Sequence, residues 1–324
     1  MTKIKIGIVG YGNLGRGIET ALTNSSDMEL FAIFTRRDPQ TLVSDSRVES
    51  YDDLIKFKNE IDVLILAGGS QKDIPQQGPE LAANFNTVDC FDTHSAIADY
   101  FAEMNHIALK YKHVSTIAIG WDPGLFSLQR MISEAILPIG NTYTFWGKGL
   151  SQGHSDAVRR VPGVKNGVQY TIPDQAMISE IKAGIAVEYS SAKAHQRVVY
   201  VVAEPDADQN EIAAQIKNMP DYFAPYQTEV NFISQAEFLQ NHQGMPHGGT
   251  VIRQGETSPE TKAIFEFNLK LDSNPQYTAA ISVAFARATY RLFKAEQYGA
   301  KTIFDIPLGL LSNRDSEDLL NNII

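Results

Sequence analysis

Cysteine is almost absent from this sequence of 324 residues, since Cys90 is the single one, so the chain cannot form an internal disulfide or a cysteine-based metal site. Apolar runs are short, and none approaches the roughly 18 residues of a membrane span. Positive charge is in deficit: the formal net charge of −10 opposes attraction to nucleic acid and to anionic membranes. These absences favour small-molecule chemistry in a reducing cytoplasm.

What is present is typical of a folded globular protein. Hydrophobic residues make up 43% and charged residues 20% of the chain, and the length favours two domains. Residues 1–7 enter a strand pattern directly, so we expect no export leader and no membrane anchor.

The N-terminal part of the chain alternates short apolar, β-branched runs with amphipathic stretches, which is typical of βαβ units around a parallel sheet. We predict strands at 3–9, 28–35, 61–67, 87–91 and 114–119, and helices at 13–24 and 96–112. Ser95 is the expected N-cap of the second helix. The fold class is therefore α/β, with a Rossmann-type doubly wound sheet in a dinucleotide-binding domain at 1–121.

Beyond residue 121 the pattern of predicted strands and helices changes. Strands are predicted at 142–146, 196–203, 228–234, 249–254 and 262–271, with helices at 174–183 and 206–218. The last strand alternates apolar and polar residues, so one face of its sheet meets a core and the other meets water. We predict an α+β substrate-binding and dimerisation domain at 122–274, built on a mixed open sheet.

The C-terminal segment, 275–324, begins with a helix predicted at 277–296. Its apolar residues Ile281, Phe285, Ala288 and Leu292 form one stripe. We expect that stripe to pack back on the dinucleotide domain.

A glycine-rich turn, Gly10-Tyr11-Gly12-Asn13-Leu14-Gly15, follows the first predicted strand and opens the first predicted helix. This is the context that a dinucleotide fingerprint requires. The first glycine permits the tight turn, the second lets the backbone approach a pyrophosphate, and the third lets the helix contact the strand. The helix N-terminus adds amide donors for the phosphates. The alternative is a glycine-rich turn without a ligand.

Thr35-Arg36-Arg37 ends the second predicted strand, where an NAD enzyme carries a carboxylate for the ribose hydroxyls. Two guanidiniums grip a 2′-phosphate and stack on adenine, so these residue types select NADP. The alternative is a surface charge pair, because Asp38 follows and offsets part of the charge. Gly68-Gly69-Ser70 follows the third predicted strand, and we expect it beside the ribose or the nicotinamide.

Asp92 and Asp122 each follow a predicted strand at the carboxyl end of the sheet, so both are expected to converge on the nicotinamide. Hydride leaves an amino-bearing carbon only when the nitrogen has a free lone pair, and a nearby carboxylate accepts the proton that frees it. The alternative for either residue is a helix cap or a turn.

Two other site types are rejected. His154 and His247 are far apart in sequence and no metal-binding histidine spacing is present, so we expect no metal. The segment 151–156 contains serine, histidine and aspartate, but triad members converge from separate segments and no nucleophile elbow is present. Cys90 reads as a buried thiol.

Six strings, spread nearly end to end, together resemble the meso-diaminopimelate dehydrogenases: VGYGNLGR at 9–16, GWDPG at 120–124, TFWG at 144–147, LSQGHSD at 150–156, MPDYF at 219–223 and GMPHGG at 244–249. The resemblance implies reversible oxidative deamination of the D-centre of meso-2,6-diaminopimelate to L-2-amino-6-oxopimelate and ammonia, with NADP reduced. It also implies a cytoplasmic homodimer in lysine and peptidoglycan precursor biosynthesis.

By the same resemblance, Asp92 and Asp122 lie near the reacting amino group. The substrate-binding residues that it implies are Trp121, Trp146, Ser151, Gln152, Gly153, Thr171, Arg197, His247 and Asn274, of which Thr171, Arg197 and His247 hold the distal carboxylate with Asn274 nearby. A guanidinium fork suits a carboxylate. The family pattern has an acidic residue where this chain has Ala96, which leaves open a difference from the family in catalytic rate or in substrate tolerance. We expect a water near Asp122 or His154 to complete hydrolysis of the imine.

Two alternatives remain open. One is another two-domain NADP-dependent oxidoreductase acting on a sugar or a different amino acid; sugar enzymes of that plan carry a Glu-Lys-Pro signature, where this chain has Phe91-Asp92-Thr93-His94. The other is a non-catalytic NADPH sensor, which has no need for paired acids and a distal arginine.

Overall fold

The structure, a computed structural model, describes residues 3–220 and 222–324. The first two residues of the predicted N-terminal strand pattern, and Asp221 of the 219–223 string, lie outside that part of the chain. Two compact units are present: the first comprises Met1–Leu128 and Pro275–Ile324, and the second is Gln129–Asn274. The first unit thus runs past the predicted boundary at residue 121.

In chain order the strands are β1 (Ile4–Val9), β2 (Met28–Thr35), β3 (Val48–Ser50), β4 (Val63–Leu66), β5 (Thr87–Asp89), β6 (Val114–Thr116), β7 (Ile139–Trp146), β8 (Gly149–Leu150), β9 (Val164–Pro173), β10 (His195–Ala203), β11 (Gln227–Phe232), β12 (His247–Ser258), β13 (Thr261–Leu271) and β14 (Gly299–Lys301). The helices are α1 (Asn13–Thr23), α2 (Ile74–Ala82), α3 (Ile97–Tyr111), α4 (Leu125–Ile136), α5 (Gln152–Arg159), α6 (Gln175–Lys182), α7 (Ser191–Ala194), α8 (Gln209–Lys217), α9 (Gln235–Asn241), α10 (Asn274–Lys294) and α11 (Ser316–Asn322). Within the described ranges, none of these helices is both long and apolar enough to cross a bilayer.

The first unit is built on a seven-stranded parallel sheet in the order β14-β6-β5-β4-β1-β2-β3. Strands β4 and β5 are buried throughout, because helices cover both faces of a parallel sheet. The chain reverses its direction of winding between β1 and β4, and nucleotides bind outside the carboxyl ends of strands at such a point. The predicted Rossmann-type doubly wound sheet is confirmed.

Helix α10 packs in the first unit along its predicted apolar stripe. Ile281, Phe285, Ala288 and Leu292 are all buried. Polar contacts fix the same helix: the hydroxyls of Thr289 and Thr116 lie 2.6 Å apart.

The second unit contains two sheets. One is mixed, in the order β11-β10-β9-β8, with β10 parallel to β11 and antiparallel to β9. The other is antiparallel, in the order β13-β12-β7. The mixed sheet confirms the predicted fold class, whereas the separate three-stranded sheet was not predicted.

Some local predictions were wrong or incomplete. Ser95 does not cap α3: residues 94–96 form a 3-10 turn, and Ala96 occupies the N-cap position without a side-chain bond. Strands β3 and β14 were missed because three residues carry too little periodic signal. Strand β9 was missed because Gly167 and polar residues interrupt its apolar pattern.

The ion pair between Asp27 and Arg287 generates a stability prediction. Arg287 Nε lies 2.6 Å from Asp27 Oδ2 and Nη2 lies 2.7 Å from Oδ1, and the arginine side chain is 7% exposed. Hydrogen bonding to this guanidinium holds the pKa of Asp27 below its usual value. Asp27→Asn should lower the free energy of unfolding at pH 7 by about 2 kcal/mol.

The pH dependence of that loss follows from the sign of the shift. A carboxyl whose pKa is depressed in the folded state stabilises the fold above its unfolded pKa, and the effect is lost as pH falls through the folded pKa. Denaturant unfolding should therefore show the difference between wild type and Asp27→Asn shrinking below about pH 4. The exposed Asp206→Asn is the control, and a difference independent of pH would contradict the assignment.

Candidate functional site

The turn after β1 leaves open space in front of a helix N-terminus. Gly10 has φ of +94°, and a Cβ added at Gly15 would collide with the carbonyl oxygen of Gly10, so the fold itself requires both glycines. A Cβ at Gly12 would meet nothing within 4 Å. The first turn of α1 carries no acidic residue. The protein's own packing does not need Gly12, and the space beside it suits an approaching anion.

A cavity of about 330 Å³ opens at this turn within the first unit. Most of the predicted cofactor residues line it: Gly10, Tyr11, Gly12, Thr35, Arg36, Arg37, Gly68 and Gly69. Asn13 and Leu14 are the first residues of α1 and are not among the lining residues. Ser70 lies with the next loop instead, because its Oγ accepts the Asp92 N–H at 2.9 Å.

The two arginines at the end of β2 are held differently. Arg37 Nη2 donates to the Tyr11 carbonyl at 2.7 Å, and the Arg37 N–H donates to the buried Thr35 Oγ1 at 3.1 Å. Arg36 Nη2 lies 2.8 Å from Asp73 Oδ1, with the arginine side chain 62% exposed. Asp38, which the sequence offered as the offsetting charge, instead caps a short turn through the Gln40 N–H at 3.0 Å.

Sequence reasoning missed six residues that line this cavity: the apolar Val9, Phe34 and Ala67, and the polar Tyr51, Asp73 and Gln77. Gln77 is 7% exposed, and its Oε1 is buried without a hydrogen-bond partner in the described part of the chain. Asp73 also accepts the Gly69 N–H at 2.8 Å. A signal for Asp73 was available, because it follows the Gly-Gly-Ser turn at the start of α2, where carboxylates commonly accept backbone N–H groups.

The candidate acids lie on loops that follow neighbouring strands. Asp92 follows β5 and is exposed, and Asp122 follows β6 and is half-buried. Trp121 is 7% exposed and packs edge-on against Phe126. The Asp122–Pro123 peptide is cis.

A buried arginine forms the centre of the polar cluster in the second unit. Arg197 is 8% exposed, and its Nη1 donates to Thr171 Oγ1, which faces it across the β9–β10 ladder. The ring centroid of Tyr226 lies 4.0 Å from the guanidinium carbon. Within residues 3–220 and 222–324, no carboxylate pairs with Arg197, and its Nε has no partner. Such a cation is set up to bind an anion.

A neutral histidine lies near this guanidinium. His154 Nδ1 is 2.8 Å from Ser151 Oγ, and its ring packs edge-on against Tyr222 and Phe223. Burial, together with the Arg197 charge, lowers the pKa of His154 to about 4. The imidazole is therefore uncharged at neutral pH and does not compete with Arg197 for an anion.

The other substrate-binding residues implied by sequence lie in three places. Ser151 caps α5, Gln152 Nε2 lies 3.1 Å from Met245 Sδ, and a Cβ at Gly153 would meet open space. His247 packs on Gly149, the residue paired with Thr171 on β9, and the Asn274 N–H donates to the Met245 carbonyl at 2.9 Å. Trp146 is the last residue of β7, and its backbone N–H donates to His195 Nε2 at 2.8 Å.

The fold and these sites define the class of protein: a two-unit oxidoreductase whose first unit has a Rossmann-type nucleotide-binding fold. Comparison with known proteins narrows this. A family model described as the diaminopimelic acid dehydrogenase C-terminal domain matches residues 120–273. The meso-diaminopimelate D-dehydrogenase of Ureibacillus thermosphaericus is 54% identical over 326 residues, covering 100% of both chains.

Solved structures agree. The diaminopimelate dehydrogenase of Corynebacterium glutamicum in complex with diaminopimelate superposes with a TM-score of 0.94 at 42% identity, covering 100% of both chains. An engineered D-amino acid dehydrogenase bound to NADP+ gives a TM-score of 0.89 at 41% identity, again covering 100% of both. The chain belongs to the meso-diaminopimelate dehydrogenase family.

The coupling between Arg197 and His154 can be measured directly. Because the arginine charge contributes to the low pKa of His154, Arg197→Met should raise that pKa toward its usual value. NMR titration of the imidazole checks this, with exposed Arg160→Met as the control. An unchanged His154 pKa in Arg197→Met would show that the two groups are not coupled.

Proposed function

We propose that this chain is an NADP-dependent dehydrogenase that reversibly deaminates the D-centre of meso-2,6-diaminopimelate, giving L-2-amino-6-oxopimelate and ammonia. The observation that carries the proposal is the buried Arg197 without a carboxylate partner in the described part of the chain. Diaminopimelate has an amino acid head at each end, so one head undergoes the reaction while the other supplies the missing carboxylate. Family membership supports the same substrate.

The residues of the first unit fit NADP. The open space at Gly12 and the amides of α1 suit a pyrophosphate, and the cavity beside them suits an adenosine. Arg36 and Arg37 reach that cavity from the end of β2, where they would bind a 2′-phosphate and stack on adenine. The cofactor, when bound, supplies the hydride acceptor for the reaction.

The second unit holds the distal head of the substrate in this proposal. Arg197 and Thr171 present donors to one carboxylate, and the Tyr226 ring covers the guanidinium. Because the site is buried, the charge pair forms in a low dielectric, where it is strong. His247 and Asn274 complete this end. The rest of the substrate is bound by Trp121, Trp146, Ser151, Gln152 and Gly153.

Asp92 and Asp122 act at the reacting head. Their carboxylates hold the ammonium, and one accepts its proton so that the nitrogen lone pair assists departure of the hydride. Water then adds to the resulting imine carbon and ammonia leaves. We expect that water near Asp122 or His154.

The active form is a cytoplasmic homodimer in this proposal. On β13, Phe265, Phe267 and Leu269 share the apolar face but are only partly buried within one chain. A partner copy that covers this face would complete the core that the alternation predicts.

The direct test is incubation of the purified protein with NADP+ and each stereoisomer of diaminopimelate, followed by nicotinamide absorbance. The meso isomer should give reduction, and the LL isomer should give none because it has no D-centre. Omission of the amino acid is the control. Silence with every isomer would overturn the assignment.

Substitution of Asp122 tests the acid–base role. Asp122→Asn should lower kcat by about a hundredfold or more, since positioned proton transfer contributes on that scale. Titration of the protein with NADPH, followed by fluorescence, should give an unchanged Kd. Asp99→Asn, an exposed carboxylate on α3 of the same unit, is the matched control. Unchanged turnover in Asp122→Asn would refute the role.

A further inference from the structure

Asp89, the last residue of β5, is buried completely. Its Oδ1 accepts the N–H groups of Phe91 at 3.0 Å and Ala118 at 3.1 Å, and its Oδ2 accepts the Tyr100 hydroxyl at 2.8 Å. In the described ranges no lysine or arginine pairs with it. A carboxylate in such a place is costly, and three donors on three separate segments offset the cost.

Two of the three partners of Asp89, Phe91 and Ala118, belong to the loops that carry the candidate acids. Phe91 immediately precedes Asp92. Ala118 lies in the segment between β6 and Asp122, and the Ile119 N–H donates to the Asp89 carbonyl at 2.9 Å. The β5–β6 ladder itself ends at Val88 and Thr116. Past that point, the side chain and carbonyl of Asp89 take over the connection between the two loops.

Backbone strain sits at the same place. Ala118 has φ of +55°, in the left-handed region that side-chain-bearing residues rarely adopt. Such a conformation persists only where its surroundings hold it. The hydrogen bond from the Ala118 N–H to Asp89 is one such restraint, and it sets the direction in which the chain leaves toward Asp122.

We propose that Asp89 is a positioning residue for the deamination: through its paired backbone bonds, it fixes the placement of Asp92 relative to Asp122 without touching the substrate. The inference rests on the proposed function, which gives those two carboxylates one reacting amine. Because Asp89 is completely buried, it does not contact a bound ligand. Burial also raises its pKa to about 6, so the carboxylate is ionised at neutral pH and accepts charge-assisted bonds.

Three variants distinguish the loss of the backbone hydrogen bonds from the loss of the carboxylate charge and from a loss of stability. Asp89→Asn keeps an oxygen for both N–H groups and turns its amide toward the Tyr100 oxygen, so kcat should stay within about fivefold of wild type. Asp89→Ala releases both backbone groups, and kcat should fall about a hundredfold, the scale of a misplacement near 1 Å. Tyr100→Phe removes only the third bond and is the matched control, with kcat close to wild type.

Each variant is measured for kcat, for KM toward meso-diaminopimelate and NADP+, and for NADPH binding. A positioning role predicts a loss in kcat for Asp89→Ala with the NADPH Kd unchanged. A merely structural role predicts lower thermal stability in Asp89→Ala and Tyr100→Phe alike, with kcat per folded molecule unaltered. That second pattern, or an Asp89→Asn variant as impaired as Asp89→Ala, would overturn the proposal. If Asp89→Ala does not fold, Asp89→Ser, whose shorter side chain cannot reach both amides, replaces it with the same expectation.

Amide hydrogen exchange keeps this test independent of the substrate. The N–H groups of Phe91 and Ala118 should be protected in wild type and in Tyr100→Phe, and should exchange faster in Asp89→Ala. If the wild-type protein reduces no NADP+ with any diaminopimelate isomer but retains this protection, the proposed function is refuted, whereas the hydrogen-bonded connection through Asp89 still stands. Equal exchange rates of these two N–H groups in wild type and Asp89→Ala would refute the connection itself.

Discussion

A guanidinium buried among neutral groups is the constraint around which the second unit is organised. Transfer of a charge out of water is costly unless an opposite charge meets it, and the described part of the chain provides none for Arg197. The neighbouring groups are neutral: the Thr171 hydroxyl accepts a hydrogen bond from the guanidinium, the Tyr226 ring packs on it, and His154 is uncharged at neutral pH. These surroundings suit a carboxylate supplied by a ligand, which is the reason for proposing an amino acid with two heads as the substrate.

The first unit solves a different electrostatic problem. Two cations, Arg36 and Arg37, are exposed residues that directly follow β2, and Asp73 pairs with Arg36 at the cavity. An exposed ion pair of this kind is weak, so it orients Arg36 at little cost and yields easily to a phosphate. Binding of NADP therefore does not require a buried charge to be uncovered. In the proposed function, the stronger electrostatic interaction is the one between buried Arg197 and the substrate carboxylate.

Local sequence patterns predicted the parts of the fold that depend on local physics. The strand predicted at 28–35 matches β2 in full, since a short, mostly apolar run between polar segments favours a strand, and the glycine fingerprint follows β1 and opens α1 as expected. What escaped prediction depends on long-range pairing. Strand β9 follows from its ladder with β10, and the roles of Asp73 and Gln77 follow from the approach of α2 to the end of β2. The sequence placed Arg197 on a strand, but its burial beside Tyr226 needs residues 29 positions apart to meet across β10 and the loop before β11.

The central claim is that Arg197 binds the distal carboxylate, and D-lysine tests it most directly because it is diaminopimelate without that group. Steady-state kcat/KM for NADP+ reduction would be measured with both amino acids in wild type and in Arg197→Met. Wild type should prefer meso-diaminopimelate over D-lysine by at least about 30-fold, the lower end of what a buried charge pair contributes, and Arg197→Met should lose most of that preference. A preference of the same size in both proteins would contradict the account.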